Sequence, residues 1–161
     1  MFTIHEVKKR TIVSQNMMDK LVNHLVARYI LYPSILPSLL DINVVSRKGY
    51  GTSKGIELWK KYQNKFNIKY IKYYILKFDI SKYFKSINHN ILKLKLEKRI
   101  KDKEALEIVF KIIDSEKEGL SIGLMSSQIL AIFYLSDLDR YIVEKLKFTS
   151  YIRYQDDRTN I

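Results

Sequence analysis

The sequence contains no cysteine and only two prolines, three histidines and five glycines among its 161 residues. Without cysteine there are neither disulfides nor thiolate metal ligands, and the histidines lack the H-x-x-H and H-E-x-x-H spacings of zinc enzymes. No apolar run reaches the roughly 18 residues that a membrane helix needs. The opening MFTIHEVKKR has no apolar signal segment. These absences predict a cytoplasmic protein without a membrane span.

Positive charge and aromatic residues are abundant. The net charge is +12, and the chain has twelve tyrosines and seven phenylalanines. Residues 60–103 hold fourteen Lys or Arg against three acids, with aromatic residues interleaved as in KYIKYYILKFDISKYFK. Such a run is commonly a solvated face, but cations among aromatic rings suit nucleic acid. An acidic membrane surface is the weaker alternative, because residues 70–79 favour a strand over an amphipathic helix.

The hydrophobic pattern predicts helices with two intervening strands. One strand is expected to be buried and to end at Asp79, and the other covers 149–155. The predicted helices cover 14–31, about 55–66, a segment from 88 onward, 103–114 and 126–146. Their predicted N-caps include Ser14, Asn88 and Ser126 or Ser127, with Pro33 and Pro37 ending the first helix.

Three acids lie at the ends of the predicted strands, namely Asp79, Asp156 and Asp157. Adjacent carboxylates repel each other, so a site that gathers them is held together by bound cations. Oxygen ligands suit Mg²⁺, and two such ions about 4 Å apart can activate a 3′-hydroxyl and stabilise a leaving pyrophosphate. Taken singly, an Asp pair in a turn or an aspartate that caps a helix is the commoner use of these residues.

The segment LKFDISKYFKSINH resembles the first catalytic motif of reverse transcriptases, and YQDD resembles their Y-x-D-D box. Three other segments, GLSIGLMSSQ, KKRTIVSQNMMDKLVNH and SRKGYGTSKGI, resemble further family motifs in the family's order. The resemblance implies an α+β fold: a right-hand polymerase palm with partial fingers, a small antiparallel sheet packed on helices, and no thumb. It assigns residues 1–69 to partial fingers and 70–161 to a palm truncated after the Y-x-D-D box.

The function that this resemblance implies is RNA-directed DNA polymerisation, the transfer of dNTPs to a primer 3′-hydroxyl on an RNA template. Asp79, Asp156 and Asp157 would be the catalytic residues and would hold two Mg²⁺ ions, or Mn²⁺, together with the backbone carbonyl of Ile80. The implied partners are the RNA template, the DNA primer, dNTPs and, as an optional further partner, an accessory retroelement protein.

The resemblance also implies nucleotide and template contacts. Phe84 would be the steric gate, a ring under the sugar that leaves no room for a 2′-hydroxyl; without the resemblance it reads as a core phenylalanine. Arg10, with Lys9, would contact the triphosphate. Gly123 would let the backbone approach the templating pair. The remaining assignments are Ile122 and Gln128 at the nucleotide, Arg47 and Lys48 near the template, and Tyr154 near the primer end.

The loop around Gly123 indicates a subclass. Many family members carry Q-G-x-x-x-S-P, whereas this chain has I-G-x-x-x-S-Q from Ile122 to Gln128. That pattern resembles the reverse transcriptases of bacterial diversity-generating retroelements, which copy RNA with adenine-directed errors. Ile122 cannot donate a hydrogen bond where glutamine could, which predicts looser checking of the nascent pair. Related bacterial enzymes of unassigned role are the alternative.

Two departures from the family bear on activity. Arg158, Thr159 and Asn160 follow the aspartates where an apolar return strand is usual, so we expect a poorly supported hairpin. No segment of the sequence resembles the family's thumb. We therefore expect a truncated gene or a fragment that has little activity alone. The alternative hypothesis is that the chain is a non-catalytic, nucleic-acid-binding remnant of a reverse transcriptase. A third hypothesis is a structural helical domain with incidental charge.

Overall fold

The computed structural model describes residues 2–5, 9–12, 16–45, 49–66, 74–154 and 157–160. For 2–5, 9–12, 66 and 157–160 it describes the backbone only. The protein is α+β: helices predominate, and short strands form two antiparallel sheets. The chain divides into two compact units, 1–38 with 82–134 and 39–81 with 135–161. The predicted fingers–palm boundary at 69 and 70 lies outside the described residues and stays a prediction.

The first unit is built from helices that pack through apolar faces. They are α1 (Met17–Val26), α2 (Tyr32–Ile35), α4 (Tyr83–Ser86), α5 (His89–Glu97), α6 (Lys103–Asp114) and α7 (Met125–Tyr134). Side-chain oxygens of Asn16, Asn88 and Asp102 accept backbone N–H donors at the starts of α1, α5 and α6, which is ordinary N-capping. The predicted cap Asn88 is therefore confirmed. The predicted cap Ser14 is wrong, because α1 begins at Met17 and Asn16 is its cap; Ser14 itself lies outside the described residues.

Pro33 does not end the first helix, contrary to the prediction. A π-helical turn over Ala27–Leu31 connects α1 to α2, and a 3₁₀ turn over Leu36–Ser38 follows. Proline removes one backbone donor and crowds the preceding turn of a regular helix. Here the helix has already widened before Pro33, which lies in the first turn of α2, so the chain stays helical to Ser38.

The helix predicted to start at Ser126 or Ser127 starts at Met125, so neither serine is its cap. Both serines are buried inside α7, and the Ser126 hydroxyl donates to Asn23 Oδ1 on α1 at 2.5 Å. This bond satisfies a polar group in an apolar interface. The single helix predicted over 126–146 is wrong in its extent, because α7 ends at Tyr134 and a separate short helix, Ser136–Arg140, follows with a π-helical turn after it. Ile129, Ile132, Leu135 and Ile142 are nevertheless buried, and Leu138 is exposed.

The second unit combines a sheet with α3 (Thr52–Phe66) and α8 (Ser136–Arg140), which continues into a π-helical turn over Tyr141–Lys145. Its sheet has the order β3 (Leu76–Phe78), β5 (Asp157–Asn160), β4 (Tyr151–Tyr154), all antiparallel. A separate hairpin in the first unit pairs β1 (Phe2–His5) with β2 (Lys9–Ile12). The helix predicted near 55–66 is confirmed, with its start at Thr52.

Two predictions about this sheet were wrong. Residues 157–160 were expected to support a hairpin poorly, yet they form its central strand, because backbone pairing on both sides does not require apolar side chains. The strand ending near Asp79 was expected to be buried. Instead Tyr74 is 87% exposed and Leu76 59% exposed, because β3 is the edge strand of the sheet.

In the part of the chain that the structure describes, no helix combines the length and the apolar character needed to cross a bilayer.

Candidate active site

The sheet of the second unit brings Asp79 and Asp157 to neighbouring backbone positions. Phe78, the last residue of β3, pairs with Arg158 on β5. Extended by one residue, this antiparallel register sets Asp79 opposite Asp157, the first residue of β5. Opposed residues on antiparallel strands have Cα atoms about 4.5–5.5 Å apart. Two acids that are 78 positions apart in the sequence, at 79 and 157, therefore come to one end of the sheet.

Strand β4 pairs with β5 next to the two acids. Tyr154, the last residue of β4, pairs with Asp157. Only Gln155 and Asp156 intervene, and both lie outside the described residues, so the position of Asp156 stays a prediction.

A buried ion pair connects β4 to helix α8. Arg153 is fully buried, and its guanidinium donates to both carboxylate oxygens of Asp139 on α8, with Nε–Oδ1 at 2.8 Å and Nη2–Oδ2 at 2.6 Å. The hydroxyl of Tyr151 donates to the same carboxylate at 2.8 Å. A planar guanidinium matched to a carboxylate in this way fixes orientation as well as distance. β4 is thus oriented by its own side chains.

The other edge of β4 is also paired. The Arg153 N–H donates to the carbonyl of Ile42 at 3.0 Å, and the Val44 N–H donates to the carbonyl of Arg153 at 3.2 Å, around a parallel bridge from Asn43 to Arg153. Backbone pairing on both edges and the ion pair leave the strand little freedom. β4 is therefore held firmly at Arg153.

The donor chemistry at the sheet end suits a hard cation. Asp79 is exposed and Ile80 is half-buried, so the carboxylate is open to solvent. Carboxylate and carbonyl oxygens are the ligands that Mg²⁺ accepts, and Mg²⁺ usually keeps water in its remaining positions. Among the residues with described side chains, which exclude Asp156 and Asp157, no three His, Cys, Asp or Glu side chains gather to bind a metal. A metal site at this sheet end thus needs the acids of the YQDD segment.

Phe84 lies in the one-turn helix α4 of the first unit and is half-buried. Its ring packs edge-on against Tyr83, with centroids 5.8 Å apart and planes at 71°. Tyr83 is buried, and its hydroxyl donates to the carbonyl of Ala131 on α7 at 2.5 Å. Of these two rings, that of Tyr83 is therefore in the core, and that of Phe84 is partly exposed to solvent. A ring that contacts a ligand must be exposed in this way.

The glycine loop before α7 packs on the backbone of α4. The Leu120 N–H donates to the carbonyl of Phe84 at 2.8 Å. Gly119 has φ of +65°, and a Cβ on it would lie 2.5 Å from Lys85 Cα and closer still to the carbonyl oxygen of Phe84. Only glycine fits this approach. In the sequence Gly119 is only one of two glycines in the segment EGLSIG, and nothing there indicates this contact.

Further along the loop, Gly123 is exposed with φ of +103°, a conformation that L side chains rarely adopt. Ile122 and Gln128 are half-buried, and the Gln128 N–H donates to the carbonyl of Leu124 at 3.1 Å in the first turn of α7. The need for glycine at 123 is thus explained by backbone conformation alone. The roles of these three residues at a nucleotide stay predictions.

The remaining predicted residues are only partly described. Lys9 and Arg10 begin β2, opposite His5 and Ile4, and their side chains lie outside the described part. Arg47 and Lys48 belong to segment 46–48, also outside it. Tyr154 is 43% exposed and opposes Asp157.

The basic segment is exposed where it is described. Of the fourteen cations in residues 60–103, twelve lie in described segments and ten of these are exposed. They are Lys60, Lys61, Lys65, Lys77, Lys82, Lys85, Lys98, Arg99, Lys101 and Lys103. Exposed cations of this number attract a polyanion.

A scan against protein-family models found no match to this chain, and a search of the curated proteins found none either.

Proposed function

We propose that the chain is the fingers–palm portion of an RNA-directed DNA polymerase of the reverse transcriptase type. The observation that carries the proposal is the β3–β5 register, whose extension by one residue beyond Phe78↔Arg158 sets Asp79 opposite Asp157. Directly opposed positions on antiparallel strands belong to one face of a sheet. Two acids that are far apart in sequence and close on one sheet face suit a shared cation site.

In this proposal Asp79, Asp156 and Asp157, with the carbonyl of Ile80, hold two Mg²⁺ ions. The bound ions would supply activation of the primer 3′-hydroxyl and charge stabilisation at the leaving pyrophosphate. The chain's own part is to fix these ligands, and the buried Arg153–Asp139 pair supports that by orienting β4. Mn²⁺ accepts the same oxygen ligands.

Other residues would bind and select the nucleotide. Arg10 and Lys9 would neutralise the triphosphate, and the half-buried ring of Phe84 would exclude a 2′-hydroxyl. Ile122, which has no hydrogen-bond donor in its side chain, would check the nascent pair loosely. This last feature favours, within the family, the error-prone enzymes of diversity-generating retroelements.

Primer extension on an RNA template with Mg²⁺ tests the proposal. Asp79→Asn and Asp156→Ala should each lower the rate by at least about 100-fold, because metal-assisted charge stabilisation is worth several kcal/mol and each tenfold step about 1.4 kcal/mol. Glu107→Gln, which changes an exposed acid of α6, is the matched control and should keep the wild-type rate. An active chain whose rate survives Asp79→Asn would overturn the metal assignment.

Mn²⁺ binding, followed by electron paramagnetic resonance, gives a second readout that does not require activity. Wild type should bind Mn²⁺, and Asp79→Asn and Asp156→Ala should lose that binding while Glu107→Gln keeps it. Binding that is indifferent to Asp79 would contradict the proposal even if polymerisation were seen.

A nucleic-acid-binding protein without catalysis is the second candidate, favoured by the ten exposed cations. Its affinity for RNA should fall steeply with salt, by about 10³ between 50 and 200 mM for six or more phosphate contacts. Asp79→Asn should leave that affinity unchanged or raise it. A flat salt response would exclude this candidate.

A further inference from the structure

The proposed gate Phe84 lies in a helix too short to fix its own position. α4 has four residues, and helices of that length gain little stability from their own hydrogen bonds. Its position therefore depends on what packs against it. The carbonyl of Phe84 accepts from Leu120 at 2.8 Å, and Gly119 lies against the backbone of Phe84 and Lys85.

His89 fixes Gly119 from the other side. Its Nε2 donates to the carbonyl oxygen of Gly119 at 2.6 Å, since a carbonyl can only accept. Its Nδ1 lies 3.5 Å from Asp114 Oδ1 on α6, and Asp114 is itself bonded by Lys93 Nζ at 2.6 Å. The imidazole thus joins α5, α6 and the glycine loop, and the loop in turn contacts the backbone of Phe84.

We propose that Gly119 and His89 are positioning residues for Phe84 and set how strongly the nucleotide site prefers a deoxyribonucleotide. The inference rests on the proposed function, because it takes Phe84 as the gate. Neither residue needs to touch the nucleotide. His89 holds Gly119, and the missing side chain of Gly119 lets the loop approach the Phe84 carbonyl.

The physical reason is that steric repulsion between the ring and the sugar falls steeply as the distance between them grows. A ring excludes an extra hydroxyl only while it stays at van der Waals distance from the sugar, and a displacement of about 1 Å in an active site can cost 10²-fold. A methyl group at Gly119 forces the loop away from α4, because it would lie 2.5 Å from Lys85 Cα. Loss of the His89 bond loosens the loop without that clash.

Discrimination is measured as the ratio of the Kd values of UTP and dUTP, which differ only in the 2′-hydroxyl. Each nucleotide is titrated calorimetrically, with Mg²⁺, into the full chain bound to an RNA template with a dideoxy-terminated primer, which blocks chemistry. Wild type should prefer dUTP by about 100-fold, the scale on which an apolar pocket rejects an added hydroxyl. Gly119→Ala and His89→Leu should lower the ratio below about tenfold on that scale, and Phe84→Ala should bring it near one.

Conservative and control variants separate positioning from general damage. His89→Gln keeps an N–H donor near the Nε2 position and should restore most of the ratio that His89→Leu loses. Gly55→Ala is the matched glycine control, because its Cβ would meet Val44 Cγ2 at an ordinary 3.4 Å. Combining His89→Leu with Phe84→Ala should lower the ratio no further than Phe84→Ala alone, since both act through one ring.

Opposite results are distinguishable. A wild-type preference that survives both His89→Leu and Gly119→Ala, in variants that keep the wild-type circular dichroism, overturns this inference and leaves the polymerase proposal intact. A wild type that binds neither nucleotide overturns both. If Gly119→Ala fails to fold, the His89→Leu and His89→Gln pair decides alone.

Discussion

Asp139 and Arg153 form a two-pronged ion pair with almost no exposed surface, and the Arg153 backbone at the same time pairs with Ile42 and Val44. Helix α8 supplies the carboxylate, and β4 supplies the guanidinium. The strand that leads to the Y-x-D-D turn is therefore fixed by a side chain and a main chain at a single residue. The stability of this arrangement can be measured directly.

Asp139→Ala should lower the free energy of unfolding by about 3–5 kcal/mol, because it leaves a buried guanidinium without its partner. Urea denaturation measures the change. Glu144→Ala is the matched control: it removes the acid of the exposed Arg140–Glu144 pair and should cost no more than about 0.5 kcal/mol. Equal costs for the two variants would mean that Arg153 is hydrated in solution.

The Lys93–Asp114 pair should contribute to stability in a pH-dependent way. The hydrogen bond from Lys93, opposed in part by desolvation, lowers the pKa of Asp114 below its usual value of 3.8. A lowered folded-state pKa gives stability that is present above the usual pKa and is lost as the pH falls through the folded-state value.

Lys93→Ala should therefore be less stable than wild type at neutral pH, by no more than about 1 kcal/mol since the pair is exposed. The difference should shrink as the pH falls below 3.8. Urea midpoints for both proteins from pH 7 to pH 3 measure it. A difference that grows toward acid would contradict the assignment of Asp114 as the partner.

Tyr83→Phe tests the anchor of α4. It removes a buried hydrogen bond to the Ala131 carbonyl and should cost about 0.5–1.5 kcal/mol in unfolding free energy. Tyr141→Phe, at a tyrosine that is 52% exposed, is the matched control and should be nearly neutral. A neutral Tyr83→Phe would show that the hydroxyl finds water instead.

Lys82 adopts a left-handed conformation, with φ of 52° and ψ of 35°, immediately before α4. This conformation costs a residue with a Cβ about 1–2 kcal/mol, whereas glycine adopts it freely. Lys82→Gly should therefore raise the free energy of unfolding by up to about 1 kcal/mol once glycine's greater unfolded-state entropy is counted. Lys85→Gly, inside α4, should lower it by roughly 0.5–1 kcal/mol. The two thermal melts should thus shift in opposite directions.

The sequence predicted those elements whose local signals agree. Helix α6 has its predicted bounds, because Asp102 caps it and its apolar residues recur at helical spacing. Pro33 misled the prediction because the effect of a proline depends on the helix geometry before it, and a π turn has no signature in a single sequence. β5 was missed because a central strand is defined by two neighbours, one of them 80 positions earlier at Phe78↔Arg158.

The candidate site divides in the same way. Asp79 and the aspartate doublet were singled out by the resemblance of LKFDISKYFKSINH and YQDD to motifs of one polymerase family, because each acid taken singly has a commoner use in a turn or a helix cap. No sequence pattern predicted a role for Arg153, because nothing local identifies Asp139 as its buried partner. His89 could not be found from sequence, because its importance comes from a carbonyl 30 residues away.

The position of β5 between β3 and β4 predicts the order in which its two pairings form during folding. The β4–β5 hairpin closes a two-residue turn and can form within microseconds, whereas its docking on β3 must close a loop of 80 residues. Such a long-range pairing is a late step in topologies of this kind. Asp79 and Asp157 therefore become neighbours only when the sheet is complete, so the proposed cation site would report the last stage of assembly, and added Mn²⁺ would stabilise that final docked state alone.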